Sequence, residues 1–491
     1  MGAAIGSTLN RVSLERRAPS ELGVAAAGVT GFVDAVGQFE MHGLLVLKRG
    51  KVVAEAEWAP YRLREPALMY SLSKGFTSAA VGLAVAEGLL SLDDRVLDHL
   101  PEYADRAVTE LRDLRIRHVL TMSSGHDRDL LGGIRDPSDS STDLVELLLS
   151  TPPAHAPGSW FQYNQPATFT AAAVVQRRAN VRLLDYLRTR LFEPFDAAEP
   201  LSWIADSRAR DLGFSGLRTD IETVACLGQL LLEDGVWNGR RLLPTGWVAD
   251  ASRAHVDTVR EPDPDWRLGY GFQIWRGQHG YRHDGGYGQF CLVFPSAEAV
   301  VAITSSTASM QALLDEVYFH LLPALTAGGQ GADADVELGR RLSRLAIELP
   351  DLAEFSGTHD FGVTASPSAA WAPSRLIADE SKLRLMFPDR STVGALEHSV
   401  PCRADEWSEA TLPTSSGPLR CRTRGGRRSD GTTYITLAVA DAPHRLILAE
   451  NGKTTGTLTV GWNTSPLHGL DPAVLICDLT NKPGSGAGGL P

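Results

Sequence analysis

Hydrophobic residues recur at two different spacings in the first ninety positions. From His42 to Trp58, two short apolar runs flank Arg49-Gly50, which predicts a β-hairpin. From Ser73 to Leu90, apolar residues recur every three or four positions among small residues, which predicts a buried helix. A further helix is predicted within residues 19 to 38. Ser71 is therefore expected at or just before a helix N-terminus.

The middle of the chain is mainly helical in its periodicity, and strand patterns return later. Residues 91–265 carry helical signals divided by Pro and Gly loops, which predicts a helical subdomain. Further elements are predicted as three strands and one closing amphipathic helix: Leu268–Trp275, Phe290–Phe294, Val300–Thr304 and Met310–Leu325.

A second domain is predicted at the C-terminus. The 491 residues exceed the roughly 250 to 300 residues that one hydrophobic core usually serves. Thr326–Ala334 is rich in Gly and Ala, which is typical of a linker, and a boundary near Leu345 is expected. Beyond it, short apolar stretches alternate with Gly, Pro, Ser and Asn clusters. This pattern predicts an antiparallel β-rich accessory domain over residues 346–491.

Charge, hydropathy and cysteine usage narrow the range of partners. The net charge of −12 opposes binding to nucleic acid or anionic lipid, since both need clustered Lys and Arg. No apolar run approaches the roughly 18 residues of a membrane span, and the N-terminus lacks a signal-peptide pattern. The five cysteines are widely spaced and form no C-x-x-C pair, so neither a zinc site nor a disulfide framework is predicted. We expect a cytoplasmic protein without metal or cofactor.

Ser71-Leu72-Ser73-Lys74 is the first candidate for chemistry. Three residues are about one helical turn, so the Lys74 amine can point back at the Ser71 hydroxyl. A lysine in a partly dehydrated pocket can act as a neutral base for a serine that is otherwise inert. The alternative is that Ser71 or Ser73 caps the helix while Lys74 lies on its wet face. The S-x-x-K tetrad also arises by chance, so it decides little by itself.

Four segments together resemble one enzyme family. They are MYSLSKGFTSAAVGLAVAEGLLSLDDRV around Ser71, LRIRHVLTMSSGHD from Leu114, PGSWFQYNQP (157–166) and RHDGGYGQFCLVFPSAEAVVAITSS (282–306). In this order they resemble the group of class C β-lactamases, D-alanyl-D-alanine carboxypeptidases and family VIII esterases. The resemblance covers residues 40–325. It implies an α/β (α+β) fold in which helices flank an antiparallel sheet, within a catalytic domain at 1–345.

The resemblance also implies roles for the tyrosine segment. Tyr163, as a phenolate stabilised by Lys74, would share the role of general base toward Ser71 and later protonate the leaving group. The position that commonly holds a substrate-binding Asn corresponds here to Gln165. Asn164 precedes it, and the sequence leaves open which of the two amides faces the pocket.

The last segment carries the remaining implied site residues. His283-Asp284-Gly285 stands in the place of the family's Lys-Thr-Gly element, with His283 expected to orient the substrate. The backbone amide of Gly286 would join that of Ser71 as an oxyanion donor, and Gly285 would allow substrate to approach the strand closely.

These observations predict a serine hydrolase that cleaves an ester or amide through a Ser71 acyl-enzyme. Its partner would be a small-molecule ester, amide or peptide. An acyltransferase or peptide-offloading or cyclising enzyme of the same fold is the alternative, because the sequence does not decide which acceptor enters. A non-catalytic binding or sensor module is the third hypothesis. The intact set of Ser71, Lys74 and Tyr163 argues against it.

Overall fold

The computed structural model describes residues 14–132, 142–365, 372–388, 395–414, 416–450, 456–467 and 475. In this part of the chain the helices are α1 Ala26–Ala35, α2 Ser73–Ala86, α3 Val96–His99, α4 Ile116–Leu120, α5 Leu144–Ser150, α6 Gln165–Ala179, α7 Leu183–Leu187, α8 Ile221–Leu232, α9 Trp247–Ala251, α10 Met310–Glu316, α11 Leu322–Ala324 and α12 Ala332–Leu342.

The strands of the same residues are β1 Met41–Lys48, β2 Lys51–Glu57, β3 Ala67–Leu68, β4 Ser202–Trp203, β5 Leu217–Thr219, β6 Val236–Trp237, β7 Arg240–Arg241, β8 Trp275–Gly277, β9 Gly280–Gly285, β10 Gln289–Phe294, β11 Ala299–Ser305, β12 His359–Ala365, β13 Arg375–Asp379, β14 Lys382–Pro388, β15 Ala395–Pro401, β16 Ser408–Thr414, β17 Gly417–Arg427, β18 Thr433–Val439, β19 Arg445–Glu450 and β20 Thr457–Trp462.

An antiparallel sheet of order β2-β1-β11-β10-β9-β8 forms the centre of the first domain. Side chains alternate across it, so that Leu44 and Val46 of β1 pack in one hydrophobic cluster and Leu45 and Leu47 in another. The first cluster includes α1, α10 and α12, and the second includes α2 and α8. The sheet is therefore covered by helices on both faces, which confirms the predicted fold class and the β1–β2 hairpin.

Helices α3 to α9 lie between β2 and β8 in the sequence, together with the short strands β3 to β7. Helix α8 spans residues 221–232, inside the region where the sequence predicts a helical subdomain. Asp220 caps it, because its carboxylate accepts a 2.8 Å hydrogen bond from the Thr223 amide. Among the described residues, no helix is long and apolar enough to cross a membrane.

The strand predicted at Leu268–Trp275 is wrong over most of its length. The observed strand β8 begins only at Trp275. Gly269 and Gln273 have positive φ angles of 101° and 61°, which interrupt extended backbone. The Gln273 amide instead donates to Leu120 O at 3.0 Å. The segment is apolar because it packs beneath the helical region.

The predicted linker is shorter than the Gly-rich composition indicated. Helix α12 begins at Ala332, inside Thr326–Ala334, and buries Leu338 and Leu342 in the same cluster as α1. Arg341 also bonds the α1 residue Asp34 at 2.7 Å. The first domain thus contains a helix whose start lies inside the predicted linker.

The C-terminal domain is a nearly closed, largely antiparallel β-barrel, which confirms the predicted antiparallel β-rich domain. Its order within the described residues is β15-β14-β13-β12-β20-β19-β18-β17-β16, and the β12–β20 pair is parallel. The end strands approach each other, since His398 Nε2 of β15 lies 2.5 Å from Thr411 O of β16. Cys402 and Cys421 are buried there as free thiols.

The barrel docks against the first domain through polar contacts. Arg422 bonds Glu65 at 2.6 Å, and Arg445 bonds Glu40 at 2.7 Å. The Leu68 amide, two residues before Tyr70, donates to Asp441 O at 2.9 Å. The interface therefore runs next to the segment that carries Ser71.

Candidate active site

Ser71 lies in a 3₁₀ turn, Tyr70–Leu72, that leads directly into α2. Tyr70 has a positive φ of 47°, a conformation that few residues other than glycine adopt. Ser71 is partly exposed, whereas Lys74 is only 2% exposed. The alternative that Lys74 lies on the wet face of the helix is therefore wrong. The helix start presents a reachable hydroxyl above a buried amine.

Lys74 is held by three acceptors. Its Nζ donates to Ser71 Oγ at 3.0 Å, to Gln165 Oε1 at 2.7 Å and to the Phe214 carbonyl oxygen at 2.8 Å. Burial lowers the pKa of Lys74 from 10.5 to about 7, against the opposing attraction of Asp129 and Asp284. A neutral amine, with two N–H groups for Gln165 and Phe214 and a lone pair for the Ser71 hydroxyl, is therefore well populated at neutral pH.

Tyr163 completes the group around the nucleophile. Its hydroxyl is hydrogen-bonded to Ser71, and its ring centroid lies 4.7 Å from Lys74 Nζ. Trp275 stacks on the ring at 5.7 Å between centroids, which fixes its orientation. Burial raises the pKa of Tyr163 above its ordinary value, and Asp284 raises it further. The free enzyme thus holds a protonated phenol, and Lys74 is the better placed base.

Gln165, rather than Asn164, faces the pocket. Asn164 is fully buried, and its Oδ1 accepts a 3.0 Å bond from the Leu130 amide. Gln165 is the first residue of α6, and its Oε1 accepts from Lys74. The structure thereby decides the question that the sequence left open.

His283 lies deeper than a substrate contact would require. Its ring is 2% exposed and packs on Gly75, where an added Cβ would lie 2.7 Å from the imidazole. Nδ1 faces the Gln273 carbonyl oxygen at 3.0 Å and therefore carries the proton. Burial lowers the pKa of His283 to about 4, so the ring is neutral. The structure does not bring this side chain into hydrogen-bonding contact with Ser71, Lys74 or Tyr163.

Asp284 points to the opposite face of β9 from His283 and is paired. Arg282 Nε donates to its Oδ2 at 3.0 Å, and Arg282 also bonds Asp265 at 2.5 Å. Burial raises the pKa of Asp284, and Arg282 opposes that rise. The carboxylate still attracts Lys74. A paired acidic group therefore stands where the family has a hydroxyl residue.

Gly285, the last residue of β9, permits a close backbone approach. A Cβ at Gly285 would overlap the Met69 carbonyl oxygen and lie 3.0 Å from the Leu72 amide nitrogen. Gly286 follows next to the Tyr70 ring. The strand that precedes the second predicted oxyanion donor thus lies against the Ser71 turn.

Two groups that contact this site were not among the predicted residues. The Phe214 carbonyl binds Lys74 through the backbone, which gives no side-chain signal. Asp129 accepts the Gln165 amide at 3.0 Å and attracts Lys74. Asp129 lies two residues after the end of the segment that begins at Leu114, and this proximity is the signal in the sequence that could have identified it. Among the described residues, no group of three or more His, Cys, Asp or Glu side chains could hold a metal ion.

The site thus combines a serine at a helix start, a buried lysine and a tyrosine bonded to the serine, on an antiparallel sheet that helices cover. Residues 28–321 match the family model described as Beta-lactamase. The chain belongs to the beta-lactamase family.

The chain is also similar to curated proteins and to solved structures. A 6-aminohexanoate-dimer hydrolase of Paenarthrobacter ureafaciens is 24% identical over 265 residues, which are 50% of this chain and 67% of that protein. Penicillin-binding protein 4 of Amycolatopsis lactamdurans is 24% identical over 379 residues, 69% of this chain and 93% of its own. The crystal structure of SurE with D-Leu aligns with a TM-score of 0.50 and 17% identity, covering 89% of this chain and 96% of that one. The last similarity concerns the fold alone.

Proposed function

We propose that the protein is a serine hydrolase that cleaves an ester or amide through a covalent acyl-enzyme on Ser71. The observation that carries the proposal is the Lys74 amine, 3.0 Å from Ser71 Oγ and with its pKa lowered to about 7. A serine hydroxyl needs such a neighbouring base to become a nucleophile at neutral pH.

In the acylation step, Ser71 Oγ attacks the substrate carbonyl carbon while neutral Lys74 takes the hydroxyl proton. The carbonyl oxygen becomes an oxyanion, which accepts hydrogen bonds from the backbone amides of Ser71 and Gly286. The dipole at the start of the helix that follows Ser71 favours the same charge.

Collapse of this intermediate breaks the bond to the leaving group. Tyr163, protonated and bonded to Ser71, donates its proton to the departing oxygen or nitrogen, and the Lys74 ammonium reprotonates it. Water then attacks the acyl-enzyme with Lys74 again as base. The acid is released and Ser71 regains its proton.

The substrate is proposed to be a neutral acyl ester or amide. The relatives named as a dimer hydrolase and a penicillin-binding protein support ester or amide chemistry. Neutral His283 occupies the position of the family's lysine, and Asp284 lies beside it. Neither supplies a positive charge for a substrate carboxylate.

The test is intact-protein mass spectrometry after exposure to a short nitrophenyl ester. The wild type should gain one acyl group, and Ser71→Ala should gain none while keeping its melting temperature. Ser73→Ala is the matched control, because Ser73 Oγ is buried and accepts the Leu217 amide. Acylation that persists in Ser71→Ala would refute the assignment.

The same experiment addresses the other hypotheses. Hydrolysis and acyl transfer share the Ser71 acyl-enzyme, so products with and without an added amine or alcohol reveal the acceptor. Free acid as the dominant product supports hydrolysis. An amide or ester as the dominant product would replace hydrolase by acyltransferase. A folded wild type that is never acylated would favour the non-catalytic module.

A further inference from the structure

The side chain of Tyr70, the residue before the nucleophile, is anchored in the C-terminal barrel. Its hydroxyl lies 2.5 Å from Nε2 of His444, in the turn before β19. The backbone amide of Leu467 donates to the same hydroxyl. Tyr70 is 2% exposed. His444 of the barrel therefore contacts the side chain of Tyr70, and Tyr70 is bonded directly to the proposed nucleophile Ser71.

The direction of the hydrogen bond follows from the other ring nitrogen. His444 Nδ1 lies 2.8 Å from the Thr464 carbonyl oxygen, which can only accept, so Nδ1 carries the proton. Nε2 then has a free lone pair, and the Tyr70 hydroxyl donates to it. Burial lowers the pKa of His444 to about 4, so this arrangement holds at neutral pH. The contact is a defined donor–acceptor pair.

Tyr70 also lies between the nucleophile and the glycine strand. Its ring is packed beside Gly286, where an added Cβ would be 3.8 Å from Tyr70 Cγ. Tyr287 meets the same ring edge-on at 5.3 Å between centroids. Tyr70 joins the Ser71 amide through one peptide bond. Its position therefore sets the spacing of both proposed oxyanion donors.

The backbone of Tyr70 requires an external restraint. Its φ of 47° is in the left-handed region, which is disfavoured for an aromatic side chain. Such a conformation persists where the surroundings over-determine it. The hydroxyl held by His444 and Leu467 provides that restraint from a different domain.

We propose that Tyr70 and His444 are positioning residues through which the C-terminal barrel fixes the backbone of the nucleophile turn. This inference depends on the proposed acyl-enzyme at Ser71. Neither side chain transfers a proton or contacts the acyl group. The barrel is thereby part of the acyl-transfer machinery, although its own residues do no chemistry.

The test compares Tyr70→Phe with two control variants. Removing the hydroxyl should reduce the acylation rate and kcat by about 10- to 100-fold, because small displacements of reacting groups have effects of that size. KM should change less than about twofold, since substrate contacts remain. Glu65→Gln breaks an interdomain ion pair with Arg422, and Tyr434→Phe removes another barrel hydroxyl. Both controls should retain wild-type kcat at matched melting temperatures.

His444 supplies the second measurement. His444→Leu should reduce kcat like Tyr70→Phe, and the double variant should lose no more than either single variant. His444→Gln retains an acceptor for the hydroxyl and should recover most of the activity. Wild-type kcat in Tyr70→Phe, or independent losses in the double variant, would overturn the proposal. If the proposed acyl-enzyme itself does not form, the result is different, because the wild type is then not acylated at Ser71.

Discussion

Replacing Asp129 by asparagine is expected to move the pH profile of catalysis to lower pH. Among the nearby charges, Asp129 raises the pKa of Lys74 most, in opposition to the lowering by burial. Asparagine removes the charge and keeps an oxygen for the amides of Gln165 and Leu131, at 3.0 and 3.1 Å. The pKa of Lys74 should then fall, and the neutral, reactive amine should persist at a lower pH.

The magnitude follows from the pKa of Lys74. A lysine at 10.5 has roughly 3 neutral molecules in 10⁴ at pH 7, whereas one at about 7 has about half. In the wild type, kcat/KM should therefore rise tenfold per pH unit below about pH 6 and level off above about pH 8. The attraction between one carboxylate and a nearby ammonium contributes on the order of 1 kcal/mol. Asp129→Asn should therefore lower the midpoint of the pH profile of kcat/KM by about 0.5 to 1 pH unit.

The assay is hydrolysis of a neutral nitrophenyl ester, followed from pH 5 to 9 at constant ionic strength. His283 does not titrate in this range, since its pKa is lowered to about 4, and Tyr163 stays protonated because its pKa is raised. Asp127→Asn is the control, because that exposed carboxylate lies two residues away. A midpoint that moves upward in Asp129→Asn, or equally in both variants, would show that Lys74 is not the titrating base.

Two further predictions concern the site residues. Lys74→Ala and Tyr163→Phe should each lower kcat/KM by orders of magnitude, with a double variant little worse than either, because the two act as one proton-transfer unit. Independent multiplicative losses would contradict that cooperation. The wild type should also hydrolyse a neutral nitrophenyl ester at least about tenfold more efficiently than a carboxylate-bearing cephalosporin, since His283 is neutral and Asp284 is acidic. The ratio of the two kcat/KM values measures this, and a preference for the cephalosporin would refute it.

The elements that periodicity identified best are those whose burial is regular. The hairpin around Arg49-Gly50 was predicted within one or two residues, because the apolar residues of its strands are buried in the two clusters on opposite faces of the sheet. The predictions of secondary structure were wrong where the backbone conformation differs from the one that the hydrophobic pattern indicates. Leu268–Trp275 is apolar but bent by positive φ angles, and α12 is concealed by the small residues near Ala332.

Site residues divide in the same way. Ser71 and Lys74 could be named from their residue types and spacing together with the family resemblance, and Tyr163 from the resemblance alone; the structure brings the three together. The Phe214 carbonyl could not be named, since any residue offers a carbonyl. Nor could the partnership of Tyr70 with His444, because 374 positions separate them and only the docking of two domains brings them together.

Burial of Lys74 has a cost in folding free energy, and this cost arises next to the turn that carries Ser71. Lowering its pKa by about 3.5 units means that the charged form is disfavoured by roughly 5 kcal/mol relative to water. The pKa of Lys74 is lower in the folded protein than in the unfolded chain. Burial of Lys74 therefore costs no stability above about pH 10.5, and stability is lost as pH falls toward 7. At neutral pH the fold therefore carries most of that cost, together with the positive φ of Tyr70. Packing elsewhere in both domains must offset both of these costs in free energy.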